Sequence, residues 1–178
     1  MNFSETIFPL TQLLTSNHFT IAESSQNFIK YTSESVIITI AYSNLEYLFY
    51  THVGKDSNSL IELTPLAVKT VFDEDSFQFQ STLTIENLIS LLKDKGQSIL
   101  LGDKTKLTEL EEFNDRRLKE FTERIIHLQH LKAADYAWEQ KDYHRFIECI
   151  EQTNQKLLAP SYLKKYKIAM DRLSKQNK

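Results

Sequence analysis

The stretch SVIITIAYSNLEYLFYTHV, Ser35 to Val53, decides how this chain is read. Val36, Ile38, Ile40 and Tyr42 alternate with Ile37, Thr39 and Ala41, which is the period of a β-strand. Ile37 and Ala41 leave the second face partly apolar as well, so the strand is expected at the centre of a sheet. Ser43-Asn44-Leu45 reads as a turn into a second strand, Glu46 to Val53, with Tyr47, Phe49, Thr51 and Val53 on one face. A short connection of this kind joins antiparallel neighbours.

Working towards the N-terminus, Phe28 to Thr32 is a further strand, and Ser25-Gln26-Asn27 is a turn of short polar side chains. Phe19 to Ser24 is expected to be a strand with Phe19 and Ile21 on one face. Ile7, Leu10, Leu13 and Leu14 recur at helical spacing. Pro9 costs no hydrogen bond only in a first turn, so Thr6 is the expected N-cap and Asn17 the expected end.

Working towards the C-terminus, Gly54 to Ser59 is a loop and Leu60 to Leu63 an edge strand. Thr64-Pro65 caps and opens a short helix through Phe72. Asp73-Glu74-Asp75 breaks the pattern, and Phe77 to Phe79 reads as a short strand. From Thr84 the period becomes helical. Ile85, Leu88, Ile89 and Leu92 form one stripe, with Gly96 expected as its C′ stop. Asp103 suits the N-cap of a long helix. Its stripe of Leu107, Leu110, Leu118, Phe121, Ile125 and Leu128 is expected to face a core, with a break near Leu131. Lys141-Asp142-Tyr143 is a turn bracketed by Tyr136, Trp138 and Tyr143, aromatics that would staple a helical hairpin. Phe146, Ile147, Ile150 and Leu157 follow. Ala159-Pro160-Ser161 opens a last helix carrying Tyr162, Tyr166, Ile168, Ala169 and Leu173. The expected fold is α+β: an N-terminal helix and antiparallel β-meander, residues 1–83, then an all-helical C-terminal part, residues 84–178, packed on it as one compact unit.

The composition excludes several classes. The 178 residues are 41% hydrophobic and 25% charged, which is incompatible with wholesale disorder. One cysteine and three glycines exclude a disulfide framework, a cysteine-based zinc site and a glycine-rich phosphate cradle. No basic n-region precedes an apolar stretch, and no run approaches the ~20 apolar residues of a spanning helix, so a cytoplasmic protein with no membrane partner is expected. No cofactor is expected.

Charge is divided unevenly. Residues 1–90 carry three basic against ten acidic side chains, a net of −7, and residues 91–178 carry eighteen against fourteen, a net of +4. Glu62, Asp73, Glu74 and Asp75 are therefore the expected partner-binding carboxylates, because an acidic surface steers and holds a basic partner. The same carboxylates could do acid–base work if their environments separated their pKa values. In the final helix Lys164, Lys165, Lys167 and Arg172 alternate with Tyr162 and Tyr166, the composition of a nucleic-acid contact. Glu123, His127 and His130 share a helical face and are metal-ligand types. That face is expected to point to water, opposite the leucine stripe. Cys149, between Ile147 and Ile150, reads as a packing residue.

Leu91-Leu92-Lys93-Asp94-Lys95-Gly96, Ile99-Leu100-Leu101-Gly102-Asp103 and Leu110-Glu111-Glu112-Phe113-Asn114-Asp115-Arg116-Arg117 resemble the helical halves of small bacterial proteins of the toxin-immunity type. Ala137-Trp138-Glu139-Gln140-Lys141-Asp142-Tyr143 resembles the turn of a tetratricopeptide-type hairpin, but no 34-residue period repeats. The resemblance implies a bacterial, non-enzymatic protein-binding protein, an inhibitor of a partner toxin, and it transfers no catalytic residue. The alternatives are a nucleic-acid-associated protein using the basic final helix, and an enzyme whose site assembles from residues distant in sequence.

Overall fold

The computed structural model describes residues 2–76 and 82–176. The strand expected at Phe77 to Phe79 lies outside them. The architecture is α+β: an N-terminal helix, a five-stranded antiparallel sheet, then helices. The chain divides into two compact units, Met1–Arg116 and Arg117–Lys178. The hydrophobic period changes near residue 84, but the first helices after that point still build the core of the first unit.

In the first unit α1 (Phe3–Ser16) precedes β1 (Thr20–Ser24), β2 (Phe28–Thr32), β3 (Ile37–Ser43), β4 (Leu48–Gly54) and β5 (Ile61–Glu62). The strands lie in sequence order, so each hairpin pairs neighbours and β3 is central. Val36, Ile38, Ile40 and Tyr42 are all buried, as the alternation predicts. They join Ile29, Tyr31, Phe49 and Val53 in one core with α1, with α2 (Pro65–Phe72), α3 (Ile85–Lys93) and α4 (Gln97–Leu100), and with Leu107, Leu110 and Phe113. Tyr31 is fully buried and its hydroxyl meets Thr11 Oγ1 at 2.6 Å. Burial pushes its pKa up, partly offset by that hydrogen bond.

Four local expectations need correction. First, α1 begins at Phe3, with Asn2 as N-cap, so Pro9 lies inside the helix. Thr6 is no cap; its N–H and hydroxyl both donate to the Asn2 carbonyl. An interior proline costs about 3 kcal/mol, and burying Phe3 returns about 1.5–3 kcal/mol. Second, Tyr47 belongs to the β3–β4 turn at φ 58° and is exposed, because a left-handed residue closes the loop onto the Ser43–Leu48 pair.

Third, Gly96 has φ −91° and stands at the N-cap of α4, a helix the periodicity did not reveal. Its missing Cβ accommodates the Leu91 carbonyl oxygen, 2.9 Å from where that carbon would sit. The left-handed C′ glycine is Gly102, φ 73°, where the Asp103 N–H donates to the Ser98 carbonyl and the Gly102 N–H to that of Ile99. Fourth, Ile21 lies opposite Tyr31 but is 49% exposed, because β1 is an edge strand with little over it.

The expected caps at Thr64 and Asp103 are present, and Thr84 adds one that the periodicity did not mark. Thr64 accepts from the Ala67 N–H, with Pro65 as the first residue of α2. Thr84 and Asn87 form a reciprocal capping box on α3. Asp103 accepts from the Thr105 N–H at 2.8 Å, and that bond holds its carboxyl below the usual aspartate range.

A helix α5, Lys104–Glu139, runs without the break expected near Leu131. In the second unit its end joins α6 (Tyr143–Glu151), a 3₁₀ turn (Gln155–Leu157) and α7 (Pro160–Gln176). Ala134, Ala137, Tyr143, Phe146, Ile147, Ile150, Leu158 and Ala169 are its core. Trp138 lies edge-on to Tyr143 at 5.7 Å and tilted over Phe146 at 5.2 Å, so the aromatics do staple the hairpin. Leu157, expected to be apolar packing, is 63% exposed, and Leu158 takes the buried position. Ile168 is also exposed, beside fully buried Ala169.

Candidate functional site

Strand alternation gives the sheet a second face, turned away from the core. Directly opposed residues share a face. Phe28, Ala41 and Tyr50 therefore form one row across β2, β3 and β4. Lys30, Thr39, His52 and Glu62 form the next row and extend it to β5. On the central strand this face carries Ile37 at one end and the smaller Thr39, Ala41 and Ser43 towards the β3–β4 turn. The flanking strands carry large ones, Phe28 and Lys30 on one side and Tyr50 and His52 on the other. Ala41 and Ser43 stay partly exposed between them, whereas Thr39 is buried.

Glu23 completes the second row, opposite Lys30, because of a β-bulge. The pairing shifts between Ile21 and Glu23, leaving Ala22 as the extra residue. Without that shift, Ile21 and Glu23 would share a face and Glu23 would lie on the core side. With it, the isoleucine stays on the Tyr31 side and the carboxylate joins the open face.

This face is acidic. Glu23 and Glu62 stand at the two ends of the Lys30–Thr39–His52 row. Tyr50 donates its hydroxyl to Glu46 Oε2 at 2.5 Å. That hydrogen bond is the main cause of a raised Tyr50 pKa, and the negative charges of Glu46 and Glu62 push in the same direction. Lys30, the one lysine or arginine of the face among the described residues, turns its Nζ onto Ser57 Oγ at 2.9 Å.

Of the carboxylates expected to bind a partner, only Glu62 belongs to this face. Asp73, Glu74 and Asp75 lie beyond α2, whose eight residues span about 12 Å. They are tied into local structure. Asp73 is the left-handed C-cap of α2, and its carbonyl accepts from Lys95 Nζ. Glu74 accepts from the Ser76 N–H and hydroxyl, which hold its carboxyl below the usual glutamate range, and lies 3.5 Å from Lys95. Asp75 pairs with Lys69 at 2.8 Å.

The cations of the final helix are divided in use. Lys165 bonds Asp135 Oδ1 at 3.0 Å and lies 5.5 Å from the Trp138 ring centroid. Arg172 stacks on Tyr143 at 4.9 Å and donates to its hydroxyl. Tyr162 and Tyr166 donate to Asp135 and Glu151. Lys164 and Lys167 are exposed. Half of the expected nucleic-acid set and both tyrosines are thus engaged within the second unit.

The stripe expected to face a core is uncovered in the middle of α5, while Glu123 is exposed as expected. Leu118, Phe121, Ile125 and Leu128 are 56%, 63%, 38% and 49% exposed. His127 and His130 are half-buried, and His127 Nδ1 is buried with no hydrogen-bond partner among the described residues. Periodicity shows which side chains share a face, not whether anything covers it. Glu123, His127 and His130 extend along about 10 Å of helix and do not converge. Among the described residues no group of three or more His, Cys, Asp or Glu could hold a metal ion. Cys149 is partly buried and packs against the second core, as expected. Among the described residues no helix is long and apolar enough to cross a membrane.

A cleft of about 570 Å³ lies between the end of α1, the β2–β3 turn and the end of α4. Its lining includes Ser16, Asn17, Ser33, Ser35 and Gly102, and its ionisable groups are His18 and Glu34. No family model, no curated protein and no solved structure matches the chain.

Proposed function

We propose that the chain is a non-enzymatic bacterial protein that binds a basic protein partner in the cytoplasm, in the manner of the toxin-immunity inhibitors its helical half resembles. The observation that carries this reading is the open acidic face of the sheet. Glu23 and Glu62 end one of its rows, Glu46 accepts from Tyr50, and Lys30 is drawn onto Ser57. Such a face accelerates encounter with a basic protein and orients it.

The test is capture of a partner from the native host by the full-length chain, at low and high salt. A stoichiometric protein of basic isoelectric point is expected, released as salt rises towards 1 M and lost with Glu62→Lys. If the partner is a toxin, the chain should inhibit it in solution. Failure to recover any partner would refute the reading. So would a partner whose capture is indifferent to both salt and Glu62→Lys.

A further inference from the structure

We propose that the Phe28–Ala41–Tyr50 row is a slot for one arginine side chain of the basic partner. This deepens the function proposed above and rests on it. Phe28 and Tyr50 face each other across Ala41, on strands two places apart. Adjacent strands are ~4.8 Å apart, so the walls stand on backbones about 10 Å apart. A flat group in contact with a ring on each side needs about 7 Å between the ring planes. Between the walls Ala41 carries only a methyl group and is partly exposed. A guanidinium is flat, weakly hydrated and prone to stack on aromatic faces, whereas an ammonium is a compact, strongly hydrated point charge.

The charges select the same occupant. Glu46 is fixed beside the slot by the Tyr50 hydroxyl on its Oε2, leaving Oε1 to accept from an incoming N–H. Glu62 also lies close enough to act on Tyr50. A phosphate-bearing ligand would meet three carboxylates, Glu23, Glu46 and Glu62. A neutral aromatic ligand would leave them without a partner. A cation stacked between two rings and hydrogen-bonded to a carboxylate uses every feature of the row.

The test uses two capped pentapeptides of equal charge, one built with arginine and one with lysine, titrated into the full-length chain. Binding is read from backbone amide shifts. The arginine peptide is expected to move the amides of Phe28, Ala41 and Tyr50 and to bind about fivefold more tightly than the lysine peptide. Phe28→Ala removes one wall and Ala41→Leu fills the floor. Both lie on the open face, and each should abolish the preference while leaving the remaining amide spectrum dispersed. Equal binding of the two peptides, or a preference that survives Ala41→Leu, overturns the slot while the acidic-face reading stands. Binding of neither peptide at millimolar concentration overturns both.

Discussion

Tyr162 gives a direct test of how the cations and tyrosines of the last helix are used. Its hydroxyl donates to Asp135 Oδ2 at 2.5 Å, and Lys165 bonds the other oxygen of the same carboxylate at 3.0 Å. Burial first, then the hydrogen bond to Asp135 and its charge, push the Tyr162 pKa up to about 12 from 10.0. The folded chain therefore holds the proton more tightly than the unfolded chain. The stabilisation is complete below pH 10 and is lost as the pH rises from 10 through 12. Two pKa units correspond to about 2.7 kcal/mol. The group lies at a partly solvated edge, and screening reduces this to about 1 kcal/mol. Urea unfolding followed by Trp138 fluorescence reads this region directly, since Trp138 is the only tryptophan and lies under Lys165. At neutral pH Tyr162→Phe should be less stable than the native chain by about 1 kcal/mol. The gap should close as the pH approaches 12. A gap that is constant or widening across that range would refute the linkage and the assignment of Asp135 to an internal cluster.

Three further outcomes are expected. Gly102→Ala places a Cβ against Ser35 Oγ at φ 73° and should destabilise the first unit by about 1–2 kcal/mol, measured by hydrogen exchange of the sheet amides. Lys141→Gly relieves a left-handed lysine at φ 59° and should stabilise the second unit by about 0.5–1 kcal/mol in Trp138-detected unfolding. Ile40→Ala empties a fully buried position on the central strand and should cost about 2–5 kcal/mol by denaturant unfolding.

Much of the fold was legible because local pattern and tertiary environment agree. Val36 to Tyr42 alternates and is central, with strands on both sides of it. Thr64-Pro65 and Asp103 are caps whose chemistry is contained within four residues. What failed depended on partners distant in sequence. Leu118 to Leu128 has the same period as Leu107 and Leu110, yet only the latter pair meets a core. Gly96 and Gly102 are six residues apart, and which one takes the left-handed conformation depended on a four-residue helix too short for a periodicity to register. The acidic face was half legible. Glu62 follows from the edge strand, but Glu23 reaches the face through a bulge, and Ile21 to Glu23 reads as ordinary alternation. Asp73, Glu74 and Asp75 stand out in the sequence because they are adjacent. In the fold their adjacency serves the end of α2, with Lys69 and Lys95 beside them.

That bulge is also the strongest argument for treating the open face as a recognition surface. A regular β1 would place Glu23 on the core side of an edge strand, where its charge would oppose pairing with unrelated strands. The extra residue is itself a device that blunts an edge, and it also sets the carboxylate opposite Lys30. Edge strands elsewhere are blunted by directing charge inward or by twisting, whereas here the bulge directs charge outward onto a row that ends in another glutamate. The cleft between α1 and α4 has one carboxylate and one imidazole, without a row of opposed groups. The exposed ridge of α5 presents Leu118, Phe121, Ile125 and Leu128 on a single helix, without paired strands to space them. Rigid spacing on paired strands makes geometric selection of a partner group possible. Of these three surfaces, the sheet face alone combines that spacing with a field of one dominant sign.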